Sequence, residues 1–213
     1  MVEQLLEHGI QQLALDMRPD VQRRLVQYLR LLGKWNRAYN LTAVRDPKQM
    51  VTRHIMDSLS IVEYIGTGSV LDVGSGAGLP GIPLALCLPE VRFTLLDSNG
   101  KKTRFMLQAV QELGLKNVVV VKQRVDEFMP EEKFQVIVSR AYSTVANLVK
   151  EAAHLVRDEG RILAMKGTYP VAELDELGVA QELVEVVRLH VPGVNAERHL
   201  VIVKADKVLS CSC

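Results

Sequence analysis

The chain has 213 residues, 48% of them apolar and 24% charged, with a formal net charge of +1 at pH 7. That composition excludes a disordered chain and suits one α/β unit with a small appendage, while the near-neutral balance excludes a global basic field, so any contact with nucleic acid has to come from local patches. No apolar run reaches the roughly 18 residues of a membrane span and no basic-then-apolar leader opens the chain, which predicts a cytoplasmic protein with no membrane association.

Residues 1–65 read as a helical amino-terminal cap. Arg18-Pro19-Asp20 opens one helix with proline in its first turn, and Val21, Leu25, Tyr28, Leu29 and Leu32 then share a face. Asp46-Pro47 opens another, with Asp46 placed to cap orphan amides and Met50, Val51, Ile55, Leu59 and Val62 as its apolar stripe.

From residue 66 to 206 the pattern is strand, helix, strand. Strands are expected at 70–73, 92–96, 118–121, 135–139, 161–165, 184–189 and 200–203, and helices at 84–88, 102–113 and 145–156. This alternation predicts a seven-stranded, mostly parallel sheet covered by helices on both faces. The last two strands lack an intervening helix; a hairpin-like pair around Pro192-Gly193 would make one edge strand antiparallel. Cys87 lies in an apolar helical stretch and Cys211 and Cys213 in an unpatterned tail at 207–213, a set that makes neither a disulfide framework nor a structural metal site.

The sequence Asp72-Val73-Gly74-Ser75-Gly76-Ala77-Gly78 sits between the first expected strand of the sheet and a helix, where ligands enter open α/β sheets. Gly74, Gly76 and Gly78 allow backbone amides to approach a ligand. Gly76-x-Gly78-x-x-Gly81 also satisfies a dinucleotide pattern, so NAD is a competing ligand. An acid at three successive strand ends favours S-adenosylmethionine instead. Asp72 can attract its cationic methionyl part, directly or through water, Asp97 can accept from the ribose hydroxyls, and at Val125-Asp126 a backbone amide and a carboxylate can meet the adenine.

For the acceptor of the methyl group, absences are informative. No cysteine follows the fourth strand to activate a pyrimidine ring, and Ser139-Arg140-Ala141-Tyr142 stands where an Asn/Asp-Pro-Pro-aromatic motif would handle an exocyclic amine. A ring nitrogen such as guanine N7 has an in-plane lone pair and needs no deprotonation, so positioning can suffice. Arg140 can reach the cofactor carboxylate or a guanine edge, or form a structural ion pair. Lys166, Arg198 and His199 add cationic groups at the same rim. Between Arg30 and His54 the cap carries six basic side chains, among them Arg37 and Arg45, against Asp46 alone, a pattern that suits structured RNA. Trp35 and Tyr39, interleaved there at i and i+4, suit base contact or helix packing equally.

Lys34-Trp35-Asn36-Arg37-Ala38-Tyr39-Asn40-Leu41-Thr42, Arg53-His54-Ile55-Met56-Asp57-Ser58, Asp72 to Pro83, Leu95-Leu96-Asp97-Ser98, Ser139-Arg140-Ala141, Met165-Lys166-Gly167 and Glu197-Arg198-His199-Leu200 together resemble the bacterial small-subunit ribosomal RNA guanine-N7 methyltransferases G, also called glucose-inhibited division protein B. The resemblance spans residues 34–204. It implies a Rossmann-like class I methyltransferase fold, S-adenosyl-L-methionine as donor, and guanine N7 in a loop of 16S ribosomal RNA, free or in a small-subunit particle, as acceptor. It also implies cofactor contacts at Gly74, Leu79, Val125, Asp126 and Arg140, which moves Arg140 toward the cofactor. No motif designates a general base, and a monomer is expected.

Overall fold

The computed structural model describes residues 1–177 and 181–205; the tail at 207–213, with Cys211 and Cys213, lies outside them. The cap begins with α1 (Val2–Gln12) and α2 (Pro19–Tyr39). As the periodicity predicts, α2 opens with Pro19 in its first turn and buries Val21, Leu25, Tyr28, Leu29 and Leu32, and it stops where Asn40 turns left-handed at φ 50. Asp46 caps α3 (Pro47–Met50) by accepting from the Gln49 amide at 2.9 Å. The backbone then widens into a π-helical segment, Val51–Met56, before α4 (Asp57–Leu59) resumes the tighter ladder. Apolar spacing does not disclose this widening, because Val51, Ile55 and Leu59 are buried either way.

The sheet is built from β1 (Ser69–Val73), β2 (Arg92–Leu96), β3 (Val118–Val121), β4 (Phe134–Arg140), β5 (Val156–Lys166), β6 (Val184–Arg188) and β7 (His199–Lys204). Its order is β3-β2-β1-β4-β5-β7-β6. β1 to β5 pair in parallel, and β7 runs antiparallel to both β5 and β6. The antiparallel strand therefore belongs to the edge pair but stands one place in from the edge. Composition explains why: β7 is buried over its first five residues and apolar from Leu200 to Val203, whereas β6 has only half-buried and exposed positions, as an edge strand does. β5 starts earlier than expected because Asp158 and Glu159 interrupt its apolar run without ending the strand.

Helices α5 (Gly81–Cys87), α6 (Gly100–Glu112), α7 (Val145–Ala152) and α8 (Val171–Asp175) complete the described chain. The cap, α5 and α6 share one core with Val70, Phe93, Leu95 and Val136, while α7 packs on the opposite face with Leu71, Val73 and Ile137. Each fully buried aliphatic side chain contributes about 1.5–3 kcal/mol. Polar contacts also hold the cap to α6: the Arg24 guanidinium donates to the Leu113 carbonyl at 2.6 and 3.0 Å. Trp35 meets the ring of Phe105 at 5.7 Å, which assigns it to packing, while Tyr39 beside it remains exposed. No helix among the described residues is long and apolar enough to cross a membrane.

Candidate functional site

β1 ends at Val73, and the chain turns through Gly74 at φ 68. A Cβ at Gly74 would strike the Tyr142 ring, so the backbone here is bare by steric necessity. The Gly74 and Ser75 amides both donate to the Leu96 carbonyl at 2.9 and 3.1 Å, tying the turn to β2. The Asp97 carboxylate receives the Gly76 amide at 2.9 Å and the Asn99 amide at 2.8 Å. Asn99 in turn caps α6. Asp97 thus braces the glycine loop as well as facing the ligand side.

Asp72 is placed differently from its expected role. It shares the face of Val70 within β1, so strand alternation sends its side chain under the loop toward α5, where it is wholly buried and lines neither of the cavities below. One oxygen accepts from the Gly81 amide at 2.9 Å; the other has no hydrogen-bond partner among the described residues. Burial pushes its pKa up to about 7. This arrangement also counts against NAD, because the helix-start amide at Gly81 is already satisfied by a carboxyl group and is closed to a pyrophosphate.

Two cavities meet over the loop. One, of about 340 Å³, lies at the ends of β1, β2 and β3 and includes Gly74, Asp97, Val125, Asp126 and Tyr142. The other, of about 420 Å³, lies where β1, β4 and β5 face the cap and includes Leu79, His54, Asp57, Arg140, Lys166 and Arg198. Gly74, Lys102 and Ala141 line both. The expected cofactor residues divide between the two: Gly74, Asp97, Val125 and Asp126 line the smaller cavity, Gly74, Gly76, Leu79 and Arg140 the larger, and Asp72 and Gly78 line neither. Asp126 is exposed and held by Arg124 at 3.0 and 3.1 Å, which keeps its carboxyl below the usual carboxylate range.

The larger of these two cavities has an organised cationic wall. The Asp57 side chain, 7% exposed, accepts from Arg140 at 3.1 Å and from Arg198 at 3.0 Å. Sequence reasoning missed Asp57, although the segment Arg53 to Ser58 was among those carrying the resemblance; so also Arg53, His54, Lys102 and Tyr142. The π-helical segment matters here, since the Arg53 carbonyl accepts from both Arg140 at 3.1 Å and the His54 Nδ1–H at 3.0 Å. In that tautomer His54 Nε2 accepts the Thr42 hydroxyl at 3.0 Å. Desolvation, with Arg140 nearby, lowers the His54 pKa to about 4, so the imidazole is neutral at physiological pH.

The expected RNA contacts divide into three groups. Lys166 and Arg198 line the crevice, but Lys166 is engaged by Glu173 at 2.7 Å and by the Ser143 carbonyl at 2.8 Å. Arg37 and Arg45 are exposed on the cap and do not line this crevice. His199 is buried under the edge of Tyr169, with ring centroids 5.5 Å apart, and this withdraws it from the surface where an RNA contact requires it. Its place on the buried strand β7 is the reason.

Residues 21–201 match the family model described as rRNA small subunit methyltransferase G, or GidB. The chain belongs to this family. A relative named ribosomal RNA small subunit methyltransferase G from Methylobacillus flagellatus is 50% identical, covering 96% of this chain and 98% of its own. One of the same name from Methylococcus capsulatus is 51% identical, covering 94% and 97%. Among solved structures, the N-methyltransferase NodS from Bradyrhizobium japonicum, in complex with S-adenosyl-L-homocysteine, superposes with a TM-score of 0.56 at 14% identity, covering 82% of this chain and 97% of that one. A predicted O-methyltransferase from Agrobacterium tumefaciens reaches 0.58 at 20% identity, covering 71% and 80%. Those two likenesses are of fold. The GidB family member described here is a methyltransferase, and its core has the fold of the solved methyltransferases just described.

Proposed function

We propose that this enzyme methylates N7 of a guanine in a loop of 16S ribosomal RNA, with the adenosyl part of the donor in the β1–β3 cavity and the acceptor base in the larger cavity beside Arg140 and Arg198. One observation carries this assignment: two contiguous cavities meet at Gly74, one bordered by the carboxylates Asp97 and Asp126, the other by cations anchored on Asp57. The residues fit the donor. The Gly74 turn lines both cavities, and Asp97 and the Val125 amide stand at successive strand ends to hold the ribose and adenine. When bound, S-adenosylmethionine supplies an electrophilic methyl group on a cationic sulfur.

The protein's own task is positioning. Guanine N7 offers a lone pair without losing a proton, so a neutral His54 and arginines held in place by Asp57 meet the chemical need with no general base. The guanidinium groups can donate to O6, which leaves the N7 lone pair free to receive the methyl group, or to flanking phosphates. The exposed Arg37 and Arg45 extend the contact across the cap. With ribosomal RNA as substrate, the enzyme works in the cytoplasm, and we take it to act as a monomer, which light scattering checks directly.

Tritium transferred from labelled donor to 16S RNA in small ribosomal subunits from cells lacking this chain, with the modified position mapped to a guanine N7, is the expected result. Label confined to protein, or to another atom of the RNA, removes the assignment.

A further inference from the structure

A separate cavity of about 750 Å³ lies in the cap among α1, α2 and α3. It shares no lining residue with the two cavities of the methyl-transfer site. Its floor is apolar, with Val26, Leu29 and Met50 buried. Its rim carries the exposed cations Arg30, Lys34, Arg37 and Arg45. The acid among its lining residues, Glu3, is already engaged by Arg30 at 2.8 Å. Arg30 is thereby paired, and Lys34, Arg37 and Arg45 leave the rim with a net positive charge; an apolar floor under such a rim complements a polyanion whose flat faces are apolar.

Gly33 supplies an independent observation. It lies within the long helix α2, where glycine is less favourable than alanine, and it lines this cavity. A Cβ built on Gly33 meets nothing within 4 Å, in contrast to Gly9, where it would strike Met56. Packing within the fold therefore does not demand glycine at position 33. Its effect is to leave the helix backbone bare where the cavity opens.

The cavity also borders the reaction site. Leu41, Thr42 and Val44 face the methyl-transfer crevice while Arg45 faces the cap cavity, so the segment 41–45 is the partition between them. Asn36 pins that partition by accepting the Thr42 amide at 2.9 Å and donating to the Val44 carbonyl at 3.3 Å. From these observations we infer that the cap cavity seats a second, unpaired nucleotide of the RNA substrate, its base on the floor beside Gly33 and its flanking phosphates on the cationic rim. The inference rests on the RNA substrate proposed above.

The test uses the full-length protein and small ribosomal subunits lacking the modification. Gly33→Leu fills the cavity and should raise KM for subunits on the order of tenfold, the loss expected for one seated base. Turnover at saturation and S-adenosylhomocysteine affinity should be unchanged. Gly33→Ala should raise the melting temperature while raising KM less. Ultraviolet irradiation of the wild-type complex should leave nucleotide adducts on peptides from α2 or α3, a measurement that stands even where the leucine variant fails to fold. An unchanged KM in folded Gly33→Leu, or adducts at this face to a ribosomal protein in place of RNA, overturns the inference while leaving the methylation assignment intact. Wild-type protein that labels no ribosomal RNA removes both.

Discussion

The Tyr28 hydroxyl donates a 2.6 Å hydrogen bond to the Ala77 carbonyl, joining the buried face of α2 to the glycine loop. Tyr28→Phe leaves that carbonyl buried without this donor, which costs about 1–3 kcal/mol. The urea midpoint should fall, and affinity for S-adenosylhomocysteine should fall with it, because the loop loses its support from the cap. A variant that loses stability but binds the cofactor product as before would show the bond to be structural only.

Asp57 holds two arginines, and Asp57→Asn should disturb both. Removing its charge leaves Arg140 and Arg198 without their shared counter-ion. Their side chains are 20% and 24% exposed, so the cost lies below that of a fully buried pair, at about 2–3 kcal/mol. Catalytic efficiency should drop more than stability does, because the guanidinium groups lose their fixed directions. A double-mutant cycle with Arg198→Met measures the coupling; a coupling near zero would show that the contact orients nothing.

Asp97→Ala is expected to weaken cofactor binding by about 1.5–3 kcal/mol, the range for hydrogen bonds to a charged group. Two losses combine here, the acceptor for the ribose and the brace on the Gly76 amide. Calorimetric titration with S-adenosylhomocysteine reads both together. Unaltered affinity contradicts the placement of the adenosyl part in the β1–β3 cavity.

Asp72 predicts a pH dependence of definite sign. Its folded pKa, about 7, stands above its ordinary 3.8, so between those values the folded protein keeps a proton that the unfolded chain has released. Stability from this group therefore falls as pH rises from about 4 to about 7, by at most about 1.4 kcal/mol per pH unit, and is flat above. His54, depressed to about 4, acts oppositely: it favours folding above 6.5, and that benefit is lost as pH falls from 6.5 toward 4. The difference between wild type and Asp72→Asn cancels the His54 contribution. Urea unfolding across this range should show the asparagine variant gaining relative stability with rising pH, and a constant difference would contradict the raised pKa.

Much of this molecule is legible from one-dimensional pattern. The alternation of short apolar runs with helical stretches forecast the sheet, and Gly74, Asp97 and Val125-Asp126 lie at one crevice because successive parallel strands end on the same side. Side-chain direction was harder to read. Asp72 follows Val70 at a two-residue interval, a clue that it points into the core and away from the ligand. Pairings across long sequence separation left no local trace at all: Asp57 and Arg198 are 141 positions apart, and neither has a neighbourhood that identifies its partner. The π-helical segment was hidden for a different reason, since Val51, Ile55 and Leu59 are buried through the widened turn as they would be in a regular helix.

The strand order also divides responsibility within the crevice. β1 pairs with β2 on one side and β4 on the other, so the chain reverses its lateral progress there. The β1–β3 half frames the proposed donor subsite, while the ends of β4 and β5, with the cap, frame the proposed acceptor subsite; among the described residues only Gly74, Lys102 and Ala141 answer to both. Changes confined to one half can therefore retune choice of acceptor without redesigning the donor's seat, and a single alteration at the shared glycine turn disables both.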